Sequence, residues 1–233
     1  MDKKVIGIIG GMGPLATADL FKKIITNTKV LKDQDHIRVL IDNNTEIPDR
    51  TAAILNNGEN PIPQLTKSAK LLENMGADFL IMPCNTAHYF YPAVSSSVNI
   101  PVLNMLEITC NSLVKKGIKK VGLIATCGTV QSGIYQKIFD RANIEVFLPN
   151  EEGQKAVTDL IYSGVKAGNT QFDVTDFKRT VEGLMSQGAE VLVLGCTELP
   201  VAVEMYNLNY PVCDPTLELA LSAIQNAGGT LVE

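Results

Sequence analysis

An internal repeat constrains this chain more than any other feature. Gly76-Ala77-Asp78-Phe79-Leu80-Ile81-Met82-Pro83-Cys84-Asn85 aligns with Gly188-Ala189-Glu190-Val191-Leu192-Val193-Leu194-Gly195-Cys196-Thr197, and from 84 to 196 the offset is 112. Lys3-Lys4-Val5, followed by Gly-rich apolar sequence, matches Lys119-Lys120-Val121, an offset of 116 from 3 to 119. Ile100-Pro101-Val102 matches Tyr210-Pro211-Val212, an offset of 110 from 100 to 210. Three blocks in one order at nearly one spacing point to duplication, and a period this long means two similar lobes rather than a solenoid. A chain of 233 residues has room for that, burying roughly 70% of the surface it exposes when unfolded.

Within each half, short apolar runs alternate with helical patterns. Val5–Ile9, Ile37–Ile41, Phe79–Met82, Val121–Ala125 and Val191–Leu194 carry Ile, Val and Leu on consecutive positions, as strands covered on both faces do. Ala16–Ile25, Ile62–Asn74, Tyr135–Arg141 and Thr175–Ser186 have helical spacing. The alternation predicts an α/β fold, two similar Rossmann-like lobes with parallel sheets; a pseudo-twofold axis relating them would let the two strand ends face each other across one cleft. Residues 1–103 plus 214–233 are expected to form the first lobe and 104–213 the second. A last helix is signalled by Asp214 as N-cap, Pro215 at the first helical position, Leu217, Ala220, Leu221 and Ile224 on one face, and Gly228 as its stop. Lys3-Lys4, the apolar stretch to Leu15 and Ala16-Thr17-Ala18 imitate a secretion signal, but four glycines and a proline interrupt the stretch. We read it as a first β-strand.

Composition removes several function classes. The net charge is −5, from 20 Lys+Arg against 25 Asp+Glu, with no basic run to neutralise phosphates, so no nucleic-acid partner is expected. No apolar run approaches the ~20 residues of a membrane-spanning helix. The two histidines, His36 and His88, are poor material for a metal site. Five cysteines without a C-x-x-C motif read as reduced thiols of a cytoplasmic protein.

In parallel sheets, ligands collect beyond the carboxyl ends of strands, where each half carries a cysteine. Cys84 precedes Asn85-Thr86-Ala87-His88, and Cys196 precedes Thr197-Glu198-Leu199-Pro200. Thr86 and Thr197 read as helix caps, and a helix N-terminus would lower the pKa of a thiol beside it. Two thiols from matching positions suit acid–base work on both faces of one carbon: one takes a proton, the other delivers one. Backbone N–H groups with Asn or Thr side chains would stabilise the carbanion. Core packing is the bland alternative for any single Cys; it is the reading for Cys110, Cys127 and Cys213. His88, four residues after Cys84, reads as a hydrogen-bonded structural histidine rather than a base.

At these residues the chain resembles the aspartate/glutamate racemases, the cofactor-independent amino-acid racemases. The resemblance rests on Gly7-Ile8-Ile9-Gly10-Gly11-Met12-Gly13-Pro14, on Asn43-Asn44 with Ile47-Pro48-Asp49-Arg50-Thr51, and on Pro83-Cys84-Asn85-Thr86-Ala87-His88. Gly128-Thr129-Val130 with Ser132-Gly133-Ile134-Tyr135-Gln136, and Gly195-Cys196-Thr197-Glu198-Leu199, complete it. It implies two α/β lobes related by pseudo-twofold symmetry with the active site in the interlobe cleft, a homodimer, no cofactor and no metal, a small amino-acid substrate, and Cys84 and Cys196 as the catalytic pair, with Cys84 serving the D-enantiomer and Cys196 the L-enantiomer. It further implies Arg50 and Lys166 on the substrate's distal carboxylate, Asn85, Thr86 and Thr197 around the α-carboxylate and Met12 lining the pocket, with Thr51 among the substrate-binding residues and Asp49 there too, either orienting Arg50 or capping a helix. Cys127 departs from the family pattern, in which an acidic residue is frequent at that position. Aspartate is the expected substrate and glutamate a further one. The alternatives are a dinucleotide-binding oxidoreductase using Gly11-Met12-Gly13-Pro14-Leu15-Ala16 with Asp42 and a non-catalytic amino-acid-binding protein. Within the fold, a broad-specificity amino-acid racemase, a hydantoin racemase, a maleate isomerase or a one-thiol decarboxylase also stands open.

Overall fold

Seven strands, all paired in parallel, form two sheets in the computed structural model, which describes residues 3–232. The chain divides into two compact units, Met1–Ile108 with Thr216–Glu233, and Thr109–Pro215.

In the first unit, β1 (Ile6–Gly10) lies between β2 (Val39–Asn43) and β3 (Phe79–Ile81). Every residue of β1 and β3 is buried, whereas β2, at the edge, is partly open. Fully burying each Ile or Leu of such a strand contributes about 2 kcal/mol. Helix α1 (Pro14–Asn27) follows β1; Pro14 opens it, where a missing N–H costs nothing, and Ala16, Thr17, Leu20 and Ile24 form its buried face. The stretch that imitates a secretion signal is therefore β1 and the start of α1. Next come α2 (Arg50–Leu55), α3 (Ile62–Asn74), a 3₁₀ segment Thr86–Phe90, α4 (Tyr91–Ser95) and α5 (Met105–Lys115), whose sequence passes into the second unit.

The second unit repeats the plan. The order is β5–β4–β6–β7, with β4 (Lys120–Ala125), β5 (Glu145–Phe147), β6 (Val191–Gly195) and β7 (Val212–Cys213). Its helices are α6 (Cys127–Ser132), α7 (Ile134–Arg141), α8 (Glu151–Asp159) running into a π-helical stretch Leu160–Lys166, α9 (Thr175–Ser186) and α10 (Glu198–Met205); α11 (Pro215–Asn226) returns the chain to the first unit.

The duplication extends to individual contacts. Leu80 N–H donates to Pro101 O at 2.8 Å and Leu192 N–H to Pro211 O at 2.9 Å, so the Ile100-Pro101-Val102 and Tyr210-Pro211-Val212 blocks play one role in each sheet. Asp78 accepts from the Val5 amide at 2.6 Å; Glu190 accepts from the Lys119 and Lys120 amides at 2.9 and 2.8 Å. Gly7 leaves room for the Leu80 side chain, which an added Cβ would meet at 2.5 Å, and Gly122 does the same for Leu192 at 2.9 Å. Close helix–sheet packing needs a missing side chain at both places.

Two expectations are corrected here. The buried face of α11 is Thr216, Leu219, Ala220, Ala223 and Ile224, while Leu217 and Leu221 are half-buried. Spacing revealed the helix, but packing chose a stripe rotated from the one read off the leucines. The Gly11–Ala16 segment does join β1 to α1, but Gly11, at φ +92°, is filled against the backbone of Asn44: a Cβ there would lie 2.2 Å from Asn44 O. That glycine serves the approach of one chain segment to another rather than the cradle of a pyrophosphate.

Candidate active site

The strands of the first sheet all end at one edge, and the candidate residues of that unit follow those ends. Beyond β3 the Cys84 amide turns back to Met82 O at 2.9 Å, leaving the Cys84 side chain 6% exposed. The segment after it is 3₁₀, not α-helical. Asn85, not Thr86, stands at its N-cap position, and no side chain caps it. Asn85 and Thr86 are both buried.

His88 links this turn to the next element. Its Nε2 lies 3.1 Å from the Met105 amide, which can only donate, so Nε2 accepts. The proton therefore sits on Nδ1, which donates to Cys84 O at 2.8 Å. Burial lowers the His88 pKa from 6.5 to about 4, against the pull of the Cys84 carbonyl. With both nitrogens engaged by backbone and the ring neutral, His88 fixes the Cys84 turn and is not a base for the sulfur.

Beyond β2, Asp49 accepts from the Ala52 amide at 2.7 Å and caps α2. Of the two roles the sequence leaves open for Asp49, orienting Arg50 or capping a helix, its exposed carboxylate makes the cap. Arg50, the first residue of α2, is held by backbone: Nη1 donates to Ile47 O and Pro48 O at 3.4 and 3.1 Å, and Nη2 to Met12 O at 3.3 Å. Met12 contributes that carbonyl, while its side chain packs in the core with Cys84, Ile47 and Leu65. Thr51 follows, half-buried in α2.

In the second unit, Ala125 of β4 pairs with Gly195 of β6, so the segments leaving both strands share an edge. Cys196, 7% exposed, leads into α10. Thr197 stands at the N-cap position, but its side chain caps nothing; its hydroxyl donates to Glu198 Oε2 at 3.3 Å. The Cys196 thiol donates to the same oxygen at 3.0 Å. Lys166, the last residue of the π-helical stretch, is 3.7 Å from Glu198 Oε1 and lies over the Tyr162 ring. π-Helical widening is frequent at functional sites; here Gly164 lets the stretch approach Tyr206, whose hydroxyl an added Cβ would meet at 2.9 Å.

Burial, then the Glu198 carboxylate, push the Cys196 thiol well above its usual range, outweighing the Glu198 amide and Lys166, which act the other way. The helix N-terminus is present, as the sequence predicts, but burial and then the carboxylate beside it reverse the expected sign. Glu198 is the residue that sequence reasoning missed. An acidic residue in the first helical turn after a thiol was the available signal, masked because that position ordinarily serves the helix dipole.

All five cysteines are free thiols. Cys110 and Cys213 are buried as small apolar residues, whereas Cys127 is only half-buried, 3.7 Å from the Thr158 hydroxyl. A groove of about 530 Å³ between α8 and α9 contains none of the candidate residues. Four of its charged side chains pair within their own helices, Lys155 with Asp159 and Arg179 with Asp176. Among the described residues no helix is long and apolar enough to cross a membrane.

The family described as Asp/Glu/Hydantoin racemase matches residues 9–223. A broad specificity amino-acid racemase, RacX of Bacillus subtilis, is 28% identical over 224 residues, covering 94% of this chain and 96% of its own. The aspartate racemase of Picrophilus torridus is 36% identical with a TM-score of 0.88, over 98% of this chain and 96% of that one. Glutamate racemase from Francisella tularensis shares the fold at 22% identity, with a TM-score of 0.64 over 97% of this chain and 81% of that one. With nearly the whole chain inside the family match, and thiols at equivalent strand ends of two like sheets, this protein belongs to the Asp/Glu/Hydantoin racemase family of isomerases.

Proposed function

We propose that the chain racemises aspartate, with glutamate a further substrate, without a cofactor, using Cys84 and Cys196 on opposite faces of the substrate's α-carbon. The observation that carries this reading is the equivalence of the two thiols. Each lies just beyond the third strand of its unit's parallel sheet, the first three strands of both sheets being ordered second–first–third, and each is followed directly by a small polar side chain, Asn85 or Thr197. One sulfur as thiolate removes the α-proton while the opposite thiol delivers a proton, and the carbon inverts. Asn85, Thr86 and Thr197 hold the α-carboxylate. Arg50 and Lys166 take the distal carboxylate, a planar fork and a point charge. Asp49 serves by fixing the start of the helix that carries Arg50, with Met12 and Thr51 beside it. The working form is a homodimer in the reduced cytoplasm, with neither nucleic acid nor membrane as partner.

A second reading, broad specificity, draws support from two observations. The Arg50 guanidinium already donates to three carbonyls, and Lys166 already faces Glu198. Both cations thus have part of their capacity engaged, which weakens selection for a distal carboxylate, and RacX carries broad specificity in its name. The test incubates L-aspartate, L-glutamate and neutral L-amino acids separately with purified protein in D₂O, without cofactor. Chiral chromatography follows the D-isomer and proton NMR the α-position. Formation of D-aspartate with deuterium at the α-carbon is expected. Retention of the α-proton in every amino acid overturns both readings, and equal rates on neutral residues overturn the acidic preference.

A further inference from the structure

We infer that Glu198 is the proton acceptor for Cys196, a positioning and relay residue that sets when this sulfur can act as a base. The inference rests on the racemase reading and deepens it. Duplication places the two thiols alike, but the residues two positions on differ: Thr86 follows Cys84, and Glu198 follows Cys196. Glu198 is 8% exposed, and its Oε2 is 3.0 Å from the Cys196 sulfur. A sulfur that close to a carboxylate carries its proton, because two anions at this distance in a buried setting repel strongly.

The resting state is therefore a Cys196 thiol donating to a Glu198 carboxylate. For Cys196 to take an α-proton, its S–H bond must break with the electron pair left on sulfur, and Glu198 Oε2 is the oxygen that receives the proton. The thiolate then accepts the substrate's α-proton and is a thiol again, while Cys84 gives its proton to the opposite face. Glu198 afterwards loses its proton to solvent and the Cys84 thiolate regains one, so the cycle closes with no net proton. Lys166, about a third exposed, lies 3.7 Å from the other carboxylate oxygen, at the more open end of the path. The charged groups facing the sulfur are Glu198 and Lys166, with the Glu198 amide as a further donor.

The duplicated thiols are thus not interchangeable. In the direction that uses Cys196 as base, the relay must act before the chemistry; in the other direction the resting thiol is already the acid required.

The experiment is peptide-resolved iodoacetamide alkylation of the full chain from pH 5 to 10, in wild type, Glu198→Gln and Lys166→Met. The Cys196 profile should move down by about one pH unit or more in Glu198→Gln and up in Lys166→Met, while the Cys84 profile stays put in both. A Cys196 profile unchanged in Glu198→Gln, or shifts of one sign in both variants, overturns the proposal. If Glu198→Gln does not fold, Glu198→Asp, one methylene shorter, should give a smaller downward shift, and no shift there overturns the proposal equally. Alkylation needs no substrate, so its outcome separates from that of the racemisation assay. Opposite shifts without D-aspartate formation sink the substrate reading alone, whereas racemisation without shifts sinks the relay. In an active Glu198→Gln enzyme, the primary isotope effect with α-deuterated aspartate should rise only for the enantiomer whose proton Cys196 removes.

Discussion

Replacing His88 with Gln should flatten the acid side of the stability curve. The folded-state pKa of His88 is about 4 against 6.5 for a free histidine. Between those values the unfolded chain binds a proton that the native state refuses, so stability falls as pH falls from 6.5 toward 4. The loss from pH 7 to pH 5 is about 2 kcal/mol. For a chain of this size that is roughly 4–8 °C in Tm. Gln carries a donor and an acceptor for the Cys84 carbonyl and the Met105 amide, but does not titrate. Thermal denaturation of both proteins at pH 7, 6 and 5 measures the difference, and subtraction cancels the other ionisable groups. The variant should lose about 2 kcal/mol less than wild type over this range. Equal losses in the two proteins would refute both the neutral, backbone-locked His88 and the sign of its linkage. Racemisation by the variant should stay within several-fold of wild type, since the ring moves no proton.

Cys84→Ser and Cys196→Ser should each lower turnover at least about 100-fold with Tm shifts of only a few degrees; near-normal turnover in either would end the two-thiol scheme. Arg50→Lys replaces a fork bonded to Met12, Ile47 and Pro48 by one ammonium, and kcat/KM for aspartate should drop roughly 10- to 100-fold, chiefly through KM, as steady-state kinetics would record. Gly11→Ala must place a Cβ against Asn44 at positive φ and should cost about 3 kcal/mol or more, read by urea unfolding.

Much of the architecture is legible because it was written twice. Helices Ile62–Asn74 and Thr175–Ser186 are observed with the bounds their apolar spacing predicts, and β1, β3, β4 and β6 coincide with Val/Ile/Leu runs to within a residue or two. The short edge strands Glu145–Phe147 and Val212–Cys213 left no such run, since a strand of two or three residues at a sheet edge need not be apolar throughout. The π-helical stretch Leu160–Lys166 is equally silent in sequence, because its widened turn is set by packing against α10.

The residues at the strand ends divide in the same way. Cys84 and Cys196 could be found from sequence, since their placement follows from strand order and repeat, both encoded locally. The charge environment could not, because hydrogen bonds and ion pairs depend on distances between positions far apart along the chain. Lys166 and Glu198 are 3.7 Å apart across a gap of 32 residues, from 166 to 198, and His88 owes its tautomer to an amide at position 105. Local pattern, read by period and duplication, determined which side chains arrive at the ends of the strands. Folding alone decided which of them share a proton, because burial, and after it a carboxylate 3.0 Å from the sulfur, hold the Cys196 proton in place at a helix start where the sequence predicts the opposite.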